Sequence, residues 1–249
     1  MATTSKIEWT ERTWNPVIGC TKVSPGCKHC YAEVMAARLK AMGVVCYEDG
    51  FQLKLLPDRL QEPLRRKKAT VYFVNSMSDL FHEDVPFAYI DQVFDVIRKA
   101  KQHTFQILTK RADRLESFFF GRTVPSNAWI GVSVEDQKYG VPRIKHLQRV
   151  DAAIRFLSVE PLLEDVGPLN LNGIHWVIVG GESGSKARPM KIEWVDNIRQ
   201  QCEESGSAFF FKQWGGWGVD GIKRSKHFNG RELHGRTWDD MPAQIQITG

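Results

Sequence analysis

The sequence of 249 residues lacks a hydrophobic run long enough to cross a membrane, because no apolar stretch reaches about 18 residues. Its start, MATTSKIEWTERTW, has neither the basic residues nor the apolar stretch of a secretory signal. Internal repeats, low-complexity tracts and an obvious interdomain linker are also missing. These absences argue against a membrane or exported protein, and we expect a cytoplasmic location.

Cysteine is scarce, and the five cysteines are an odd number, which argues against a disulfide framework in a reducing compartment. Three of them, Cys20, Cys27 and Cys30, fall within eleven positions, whereas Cys46 and Cys202 stand apart. A group of this kind predicts a metal-binding or catalytic role for the three neighbouring cysteines.

Positive charge is in mild excess, since 34 Lys and Arg against 29 Asp and Glu give a net charge of +5. This balance suits an anionic partner such as nucleic acid without requiring one. Two basic runs stand out: Arg65–Lys68, and Lys223–Lys226 in a Gly-rich C-terminal stretch that also holds Arg231 and Arg236. Each run is either a solvated surface or a phosphate contact.

From residue 71 onward, short β-branched or aromatic runs alternate with amphipathic segments, which is typical of βα units and a parallel sheet. The predicted strands are Val71–Asn75, Thr104–Leu108, Trp129–Val134, Arg155–Val159, Trp176–Val179 and Ala208–Phe211. The predicted helices are His29–Met42, Pro86–Lys101, Arg111–Phe119, Gln137–Gln148 and Ile192–Glu204. We place a first strand or loop at Asn15–Gly19, and a loop at Leu162–Gly173.

A compact polar group follows each predicted strand. These groups are Asn75–Asp79, Thr109–Arg111, Ser133–Asp136, Ser158–Pro161, Gly180–Ser183 and Lys212–Trp214. Ligands bind at the carboxyl ends of the strands in a parallel barrel or open α/β sheet, so the groups predict an active-site rim. The alternative is that polar residues merely end strands and cap helices.

The spacing of the grouped cysteines is C-x6-C-x2-C, and a Pro-Gly turn bends the loop before the closer pair. Thiolates are the natural ligands of iron–sulfur clusters, and three of them leave one iron open to another ligand. Structural zinc is an alternative, with His29 or His82 completing a Cys3His set, although His29 stands awkwardly between two of the cysteines. Core cysteines without a metal are the third possibility.

The cysteine motif, followed by an aromatic residue and a helix, resembles the radical S-adenosylmethionine (SAM) superfamily in a form with a widened first gap. The chain is also similar to a phage-associated family of radical-SAM-like proteins from about Thr13 to Pro242. The phrases that carry this likeness are TWNPVIGCTKVSPGCKHCYAE, VNSMSDLFHEDVP, ILTKRADRL, GVSVEDQ, LSVEPLL, VIVGGESG, FFFKQWGG and GRTWDDMP.

The resemblance implies an α/β fold, a partial (βα)6 TIM-like barrel over residues 1–214, with a C-terminal extension, residues 215–249, that packs on or closes the barrel. It implies a [4Fe-4S] cluster on Cys20, Cys27 and Cys30, with SAM across the carboxyl ends of the strands. The cluster would cleave SAM reductively to a 5′-deoxyadenosyl radical that takes hydrogen from a substrate. A flavodoxin- or ferredoxin-type electron donor is the implied partner.

The resemblance also suggests roles for residues at the strand ends. Ser76, Ser78 and Asp79 would hold the methionine amino group of SAM, Lys110 its carboxylate, and Ser133 and Glu135 its ribose hydroxyls. Gly180 and Gly181 would let the backbone approach SAM, although a Gly-Gly-Glu motif normally follows the second strand of this superfamily and here follows a later one. Glu160, Glu182 and Lys212 would face the substrate, and Glu160 and Lys212 could equally form a structural ion pair.

The phage-type family and the basic tail suggest a nucleic acid or nucleotide as the substrate. Trp214, Trp217 and Trp238 would then stack on bases, or else pack within a lid. The alternative function is a non-enzymatic protein that binds nucleic acid and uses the cysteines for zinc or a structural iron–sulfur cluster.

Overall fold

The structure is a computed structural model that describes residues 3–5 and 7–243. The chain divides into two compact units. The first unit holds the residues up to Val23, Cys30–Ile130 and Val150–Ala152; the second holds Ser24–His29, Gly131–Arg149 and the residues from Ala153 onward. No helix in these described ranges is long and apolar enough to cross a membrane.

The first unit combines parallel strands with amphipathic helices. Its elements are β1 (Thr3–Thr4), β2 (Arg12–Trp14), β3 (Val17–Ile18), α1 (Tyr31–Ala41), β4 (Lys54–Leu55), β5 (Val71–Val74), α2 (Phe87–Lys99), β6 (Thr104–Thr109) and α3 (Ala112–Phe119). Strands β2, β5 and β6 pair in parallel, and β1 runs antiparallel to β2. Strands β3 and β4 form a separate antiparallel ribbon.

The second unit continues the same alternation. Strand β7 (Ala128–Ser133) begins in the first unit and ends in the second. The elements that follow are α4 (Arg143–Gln148), β8 (Ile154–Val159), β9 (Trp176–Gly180), α5 (Ile192–Ser205), β10 (Ala208–Gln213) and α6 (Lys226–Asn229). Strands β8, β9 and β10 are parallel, and β9 is buried along its whole length, as parallel strands covered on both faces usually are.

Within the described residues, the main sheet has eight strands in the order β1-β2-β5-β6-β7-β8-β9-β10. The seven strands from β2 onward are parallel and follow one another in sequence order, which is the topology of a partial (βα) barrel. The predicted α/β partial-barrel class is confirmed: the sequence predicts six or seven βα units, and the sheet has seven parallel strands.

The first parallel strand differs from the prediction. It lies at Arg12–Trp14 and not at Asn15–Gly19, where Pro16 lacks the N–H that a ladder hydrogen bond needs. Trp14 is fully buried, and its indole N–H donates to the carbonyl of Arg59 at 2.8 Å. The short strand β3 beyond Pro16 pairs with β4 instead.

The other predicted bounds from residue 71 onward agree with the structure to within two residues, except at the start of α4. This helix begins at Arg143 and not at Gln137. The carboxylate of Asp136 accepts hydrogen bonds from the N–H groups of Tyr139 at 2.6 Å and Gly140 at 3.0 Å, which fold this stretch into a turn. The predicted loop at Leu162–Gly173 is confirmed, since no helix or strand interrupts it.

An aromatic cluster forms part of the core of the first unit. The rings of Phe94 and Phe118 are stacked at 5.5 Å, and Phe81 meets Phe118 edge-on at 5.8 Å. Phe119 contacts both Phe94 and Phe118 at 5.1 and 5.0 Å. These buried rings bring α2, α3 and the loop after β5 together.

We expect Phe118→Ala to lower the free energy of unfolding by about 3–5 kcal/mol, because it removes a fully buried ring and leaves a cavity. The matched control is Phe120→Ala, two residues along the chain, where the ring is 88% exposed and the loss should be near zero. Urea unfolding of both variants measures the difference. Equal losses in the two variants would contradict the packing described above.

The C-terminal stretch packs along β10 of the second unit. Asp239 forms an antiparallel bridge with Phe210, and the N–H of Phe211 donates to the carbonyl of Trp238 at 2.9 Å. The indole N–H groups of Trp214, Trp217 and Trp238 donate to backbone carbonyls at 2.8, 2.7 and 3.0 Å. These bonds favour the packing role for the three tryptophans over base stacking.

Candidate functional site

Cys20 lies next to the carboxyl end of β5 in the first unit. The preceding residue, Gly19, donates its N–H to the carbonyl of Met77 at 3.0 Å and bridges to Ser78. Gly19 has φ +76°, and a Cβ there would come within 2.0 Å of the carbonyl oxygen of Gln52, so only glycine fits. The sequence thus carries the first cysteine to the edge where ligands bind in parallel sheets.

Arg111 lies two residues after the end of β6 in the first unit, and it donates hydrogen bonds to Cys20 and to three residues near it. Its Nη1 donates to Cys20 Sγ at 3.5 Å and to Asp79 at 3.2 Å. Its Nε donates to Glu83 at 2.7 Å and its Nη2 to Thr21 Oγ1 at 2.8 Å. The guanidinium is only 7% exposed, so its position is fixed by these partners.

The charges around Arg111 shift each other's pKa. Burial lowers the pKa of Arg111, but the charge of Asp79 and the bond to Glu83 outweigh it and raise this pKa overall. Burial raises the pKa of Glu83, but the hydrogen bonds from Arg111, from the backbone and from Thr21, with the charge of Arg111, together outweigh it, and the result is a pKa of about 2. The group therefore stays an ion pair at neutral pH, with a permanent positive charge beside the Cys20 sulfur.

Asp79, predicted to hold SAM, is instead saturated by protein partners. Besides Arg111, its carboxylate accepts from Thr109 Oγ1 at 2.7 Å and from the N–H of Lys110 and of Phe81, each at 3.0 Å. Asp79 is buried, and the bonds join the loops after β5 and β6. In this arrangement its carboxylate positions the loop residues around Cys20.

Two other predicted SAM contacts after β5 also bond within the protein. The hydroxyl of Ser76 donates to Asn15 Oδ1 at 3.2 Å, and that of Ser78 donates to the carbonyl of Val17 at 2.8 Å. Asn15 Oδ1 also accepts the N–H of Met77 at 3.1 Å. These bonds attach the loop after β5 to the segment that leads to Cys20.

His82 is fully buried beside Thr21 in the first unit. Its Nδ1 accepts the N–H of Asp84 at 3.1 Å, and its Nε2 lies 2.9 Å from Thr21 Oγ1. Burial, followed by the charge of Arg111, lowers the pKa of His82, so the ring is neutral at pH 7. Nδ1 uses its lone pair to accept the N–H of Asp84, so Nε2 carries the proton, and neither nitrogen of His82 is left as a zinc ligand.

Cys30 stands at the N-cap of α1 and packs against a small apolar cluster in the first unit. This cluster includes Ile18, Ala36 and Met77. Cys30 is half-buried, as are Cys20 and Cys27, and none of the three forms a disulfide. The thiols are therefore available as ligands.

Cys27 belongs to the second unit, in a short helical turn, Pro25–Cys27. Its N–H donates to the carbonyl of Ser24 at 3.0 Å, and its sulfur lies 3.9 Å from the Ser24 hydroxyl. That hydroxyl donates to Glu135, just beyond β7, through a very short hydrogen bond. A Cβ on Gly26 would come within 2.7 Å of Glu135 Oε1, so the turn packs directly on this carboxylate.

Glu135 is fully buried and forms an ion pair. Its Oε2 accepts from Arg143 Nη1 at 2.6 Å, and the same guanidinium donates to the carbonyl of Ser133 at 2.8 Å. Ser133 is buried as well. Glu135 was predicted to bind the SAM ribose; the geometry shows it holding the turn that carries Cys27.

Glu182 makes a second connection to this turn in the second unit. Its carboxylate accepts from Arg188 Nη2 at 2.6 Å and from Nε and N at 2.9 Å, and Arg188 Nη2 donates to the carbonyl of Pro25 at 3.1 Å. Burial raises the pKa of Glu182, but the bonds from Arg188 outweigh it, so the pKa is lowered. Glu182 is therefore ionised and committed to Arg188.

Glu160 and Lys212, predicted to face the substrate, form an ion pair at 3.1 Å and remain partly exposed. A Cβ on Gly180 would come within 2.5 Å of Glu160 Oε1, and one on Gly181 within 2.0 Å of the carbonyl oxygen of Trp214. The two glycines therefore serve close packing inside the second unit. The structural ion pair, one of the two predicted alternatives, is the one observed.

The cysteines are candidate ligands of a zinc ion or of a [4Fe-4S] cluster. Within the described residues, no three Cys, His, Asp or Glu side chains converge on a single metal ion. A [4Fe-4S] cluster places each thiolate on a different iron and does not need that convergence. The chemistry of these residues suits iron–sulfur ligation: none of the three cysteines forms a disulfide, and a guanidinium donates to the sulfur of Cys20, as hydrogen bonds to ligand sulfur are common around such clusters.

Several residues that were not predicted from the sequence contact the candidate site. Arg111, Arg188, Arg143 and Ser24 each bond to a predicted site residue or to the cysteine segment. Arg111 lies in the polar group after β6 from which Lys110 was chosen. Ser24 stands directly before the Pro-Gly turn, where an N-cap residue is expected.

The solved structures similar to this fold include several of spore photoproduct lyase. Its complex with dinucleoside spore photoproduct is 12% identical, with a TM-score of 0.42 and coverage of 82% of this chain and 64% of that chain. A variant with bound AdoMet and the same dinucleoside gives equal values. A cysteine-to-alanine variant gives 13%, 0.45, 90% and 70%. The chain thus spans less than two thirds of the first of these, and identity this low carries no functional argument.

Sequence comparison with families is more informative. No curated protein has significant sequence similarity to the chain. The model of the DUF5131 family, described as a protein of unknown function, matches residues 4–242. Because this match covers almost the entire sequence, the chain belongs to the DUF5131 family.

Proposed function

We propose that the protein is a radical SAM enzyme whose [4Fe-4S] cluster is held by Cys20, Cys27 and Cys30. The observation that carries the proposal is the environment of Cys20, at the carboxyl edge of β5, with the buried Arg111 guanidinium donating to its sulfur. A cation at this distance favours the thiolate that binds iron. The hydrogen bonds of His82 argue against that residue as the fourth ligand of a zinc ion.

The bound cluster would supply one electron to the sulfonium of SAM and so generate a 5′-deoxyadenosyl radical. The protein's own residues would position the ligands: Arg111 and Asp79 at Cys20, Glu135 and Glu182 at the turn of Cys27. These buried ion pairs hold the cysteine segment in place, because separating a buried pair leaves an uncompensated charge away from water and is strongly destabilising.

SAM itself would contact predicted groups whose side chains do not belong to the networks around Cys20 and Cys27. Ser76, Ser78, Asp79, Glu135 and Glu182 already bond to protein partners, so their contribution is to shape the surrounding loops. Lys110, Ser133 and the backbone at Gly180 and Gly181 remain as candidate contacts. A substrate carboxylate or hydroxyl could replace one partner of the Glu160–Lys212 pair, which is only partly buried.

The central test is reductive cleavage of SAM. After anaerobic reconstitution with iron and sulfide, the protein should carry about four irons per chain. With dithionite and SAM it should release methionine and 5′-deoxyadenosine, which chromatography with mass detection quantifies. A fully loaded cluster that yields no 5′-deoxyadenosine would refute the radical reaction, and stoichiometric zinc without iron would favour the non-enzymatic alternative.

The proposed partner is an electron donor of flavodoxin or ferredoxin type, and the proposed substrate is a nucleic acid or nucleotide. The donor would replace dithionite in the assay above. Substrate candidates can be compared by the rate of 5′-deoxyadenosine release, because the correct substrate should accelerate it over the uncoupled background.

A further inference from the structure

A positively charged groove opens at the amino ends of β2 and β5 in the first unit. Its volume is about 460 Å³. The cations that line it are Arg12, Arg65, Arg66, Lys67 and Lys68. Glu62 and Tyr72 also line it, but Tyr72 is only 1% exposed and offers no free ring face. The groove therefore presents charge with almost no surface on which a base could stack.

Three of these cations have free charges. Arg65, Lys67 and Lys68 are exposed, and among the residues that the structure describes none of them has a carboxylate partner. The basic run in the tail differs, because Arg224 pairs with Asp220 at 2.7 Å and Lys223 donates to the carbonyl of Ser185 at 2.5 Å. Of the two basic runs, the groove is thus the one that presents three exposed cations without a carboxylate partner among the described residues.

The segment that carries the groove cations is anchored at several points. The carbonyl of Arg66 accepts from Gln102 Nε2 at 3.0 Å and lies 3.0 Å from His103 Nε2. Arg66 Nε donates to Thr70 Oγ1 at 2.7 Å, and Thr70 in turn donates to the carbonyl of Lys68 at 2.9 Å. A run that only solvates a surface needs no such anchoring, whereas a binding segment gains affinity when it is ordered beforehand.

The groove and Cys20 lie at opposite ends of the same strands. Arg12 begins β2 and is paired with Tyr72, near the start of β5. Cys20 adjoins the loop that follows the end of β5. An electron donor has to approach the cluster ligands. A groove at the opposite end of the strands would therefore not serve as the binding site of an acidic electron-transfer protein.

From these observations we infer that the groove binds phosphate groups of a nucleic-acid backbone. Arginine and lysine are the side chains that contact phosphate, and a lining without an exposed ring or amide predicts binding without sequence preference. The inference concerns residues that neither hold the cluster nor surround it; only the exclusion of an electron donor from the groove rests on the proposed function.

The test is binding of a fluorescently labelled DNA oligonucleotide to metal-free protein, measured by anisotropy between about 50 and about 200 mM salt. The triple variant Arg65→Gln, Lys67→Gln, Lys68→Gln removes three phosphate contacts from exposed positions. We expect weaker binding for oligonucleotides of any sequence, and a plot of log affinity against log salt whose slope is smaller by about 3.

The matched control is Lys223→Gln, Arg224→Gln, Lys226→Gln, which changes the net charge equally in the tail and should leave the slope unchanged. Equal losses of DNA affinity in both triple variants would show that only the net charge matters, and would overturn the inference. It would also be overturned if the wild-type protein bound no DNA, or if the groove variant lost affinity only for a purified acidic flavodoxin. Failure of the SAM cleavage assay would leave the DNA result standing, so the two proposals are separable.

Discussion

The variant Cys27→Ala is expected to lose the cluster and, with it, all release of 5′-deoxyadenosine. Under the proposed function, Cys27 supplies one of three protein thiolates, and a remaining pair cannot hold a cluster that already has one open iron. Iron content after reconstitution should fall from about four per chain to below about one. Iron and sulfide analysis measures the first effect and chromatography the second.

The control for this variant is Cys46→Ala. Cys46 is also a half-buried thiol, and Arg59 donates to its sulfur at 3.3 Å much as Arg111 donates to Cys20, but Cys46 lies outside the C-x6-C-x2-C motif. It should retain the iron content and activity of the wild-type protein. Because Cys27 is on a surface turn, circular dichroism should show both variants folded; full iron loading in folded Cys27→Ala would refute its role as a ligand.

The second large effect is expected for Arg111→Met. This change leaves the buried Asp79 without its charge partner, and breaking a buried ion pair in this way costs about 3–5 kcal/mol of unfolding free energy. Arg98→Met is the control, because the Arg98–Asp95 pair is exposed and should contribute about 0–1 kcal/mol. Urea unfolding of metal-free protein measures both variants without any contribution from the cluster.

Two further measurements separate the charge effect from loss of packing. The double variant Asp79→Asn, Arg111→Met leaves no charge of this pair buried. Its loss of unfolding free energy should therefore be smaller than the sum of the losses in the two single variants. Glu83 gives a pH signature as well. Its pKa is about 2 in the folded protein against an ordinary 4.5, so its stabilising contribution is present above pH 4.5 and disappears as the pH falls toward 2.

Arg111→Met should reduce that pH-dependent part, because the hydrogen bond and charge of Arg111 no longer depress the pKa of Glu83, while the bonds from the backbone and from Thr21 remain. The unfolding free energy of the variant should therefore fall less steeply between pH 4.5 and 2 than that of the wild-type protein. The buried ion pair would be contradicted if Arg111→Met lost less than about 1 kcal/mol of unfolding free energy at neutral pH. It would also be contradicted if the unfolding free energy fell as steeply with acid as in the wild-type protein.

Much of the fold could be predicted because the strands and helices follow the periodicity of their apolar residues. In α2 the buried Ile90, Val93, Phe94 and Ile97 have the predicted helical spacing. The first parallel strand was missed because three residues, Arg12–Trp14, are too short to show a period. Its identity depends on tertiary contacts, namely the burial of Trp14 and its pairing with β5.

The candidate site was harder to predict than the fold. Residue types at strand ends indicate which groups stand near an edge, but not which partner each one takes. Lys110 and Arg111 are adjacent cations, and only the structure shows that Arg111 turns inward to Asp79 and Cys20. The partners of Glu135 and Glu182 could not be foreseen for the same reason, because Ser24 and Arg188 meet them only after folding.

The close contact between Gly26 and Glu135 has a consequence for how this family can diverge. Any side chain at position 26 would collide with the Glu135 carboxylate, and a shorter residue at 135 would leave Arg143 without its partner. Substitutions at positions 26, 135 and 143 should therefore occur together across related chains. Such covariation would let distant relatives be identified from three positions, of which position 26 lies more than a hundred residues before the other two in the sequence.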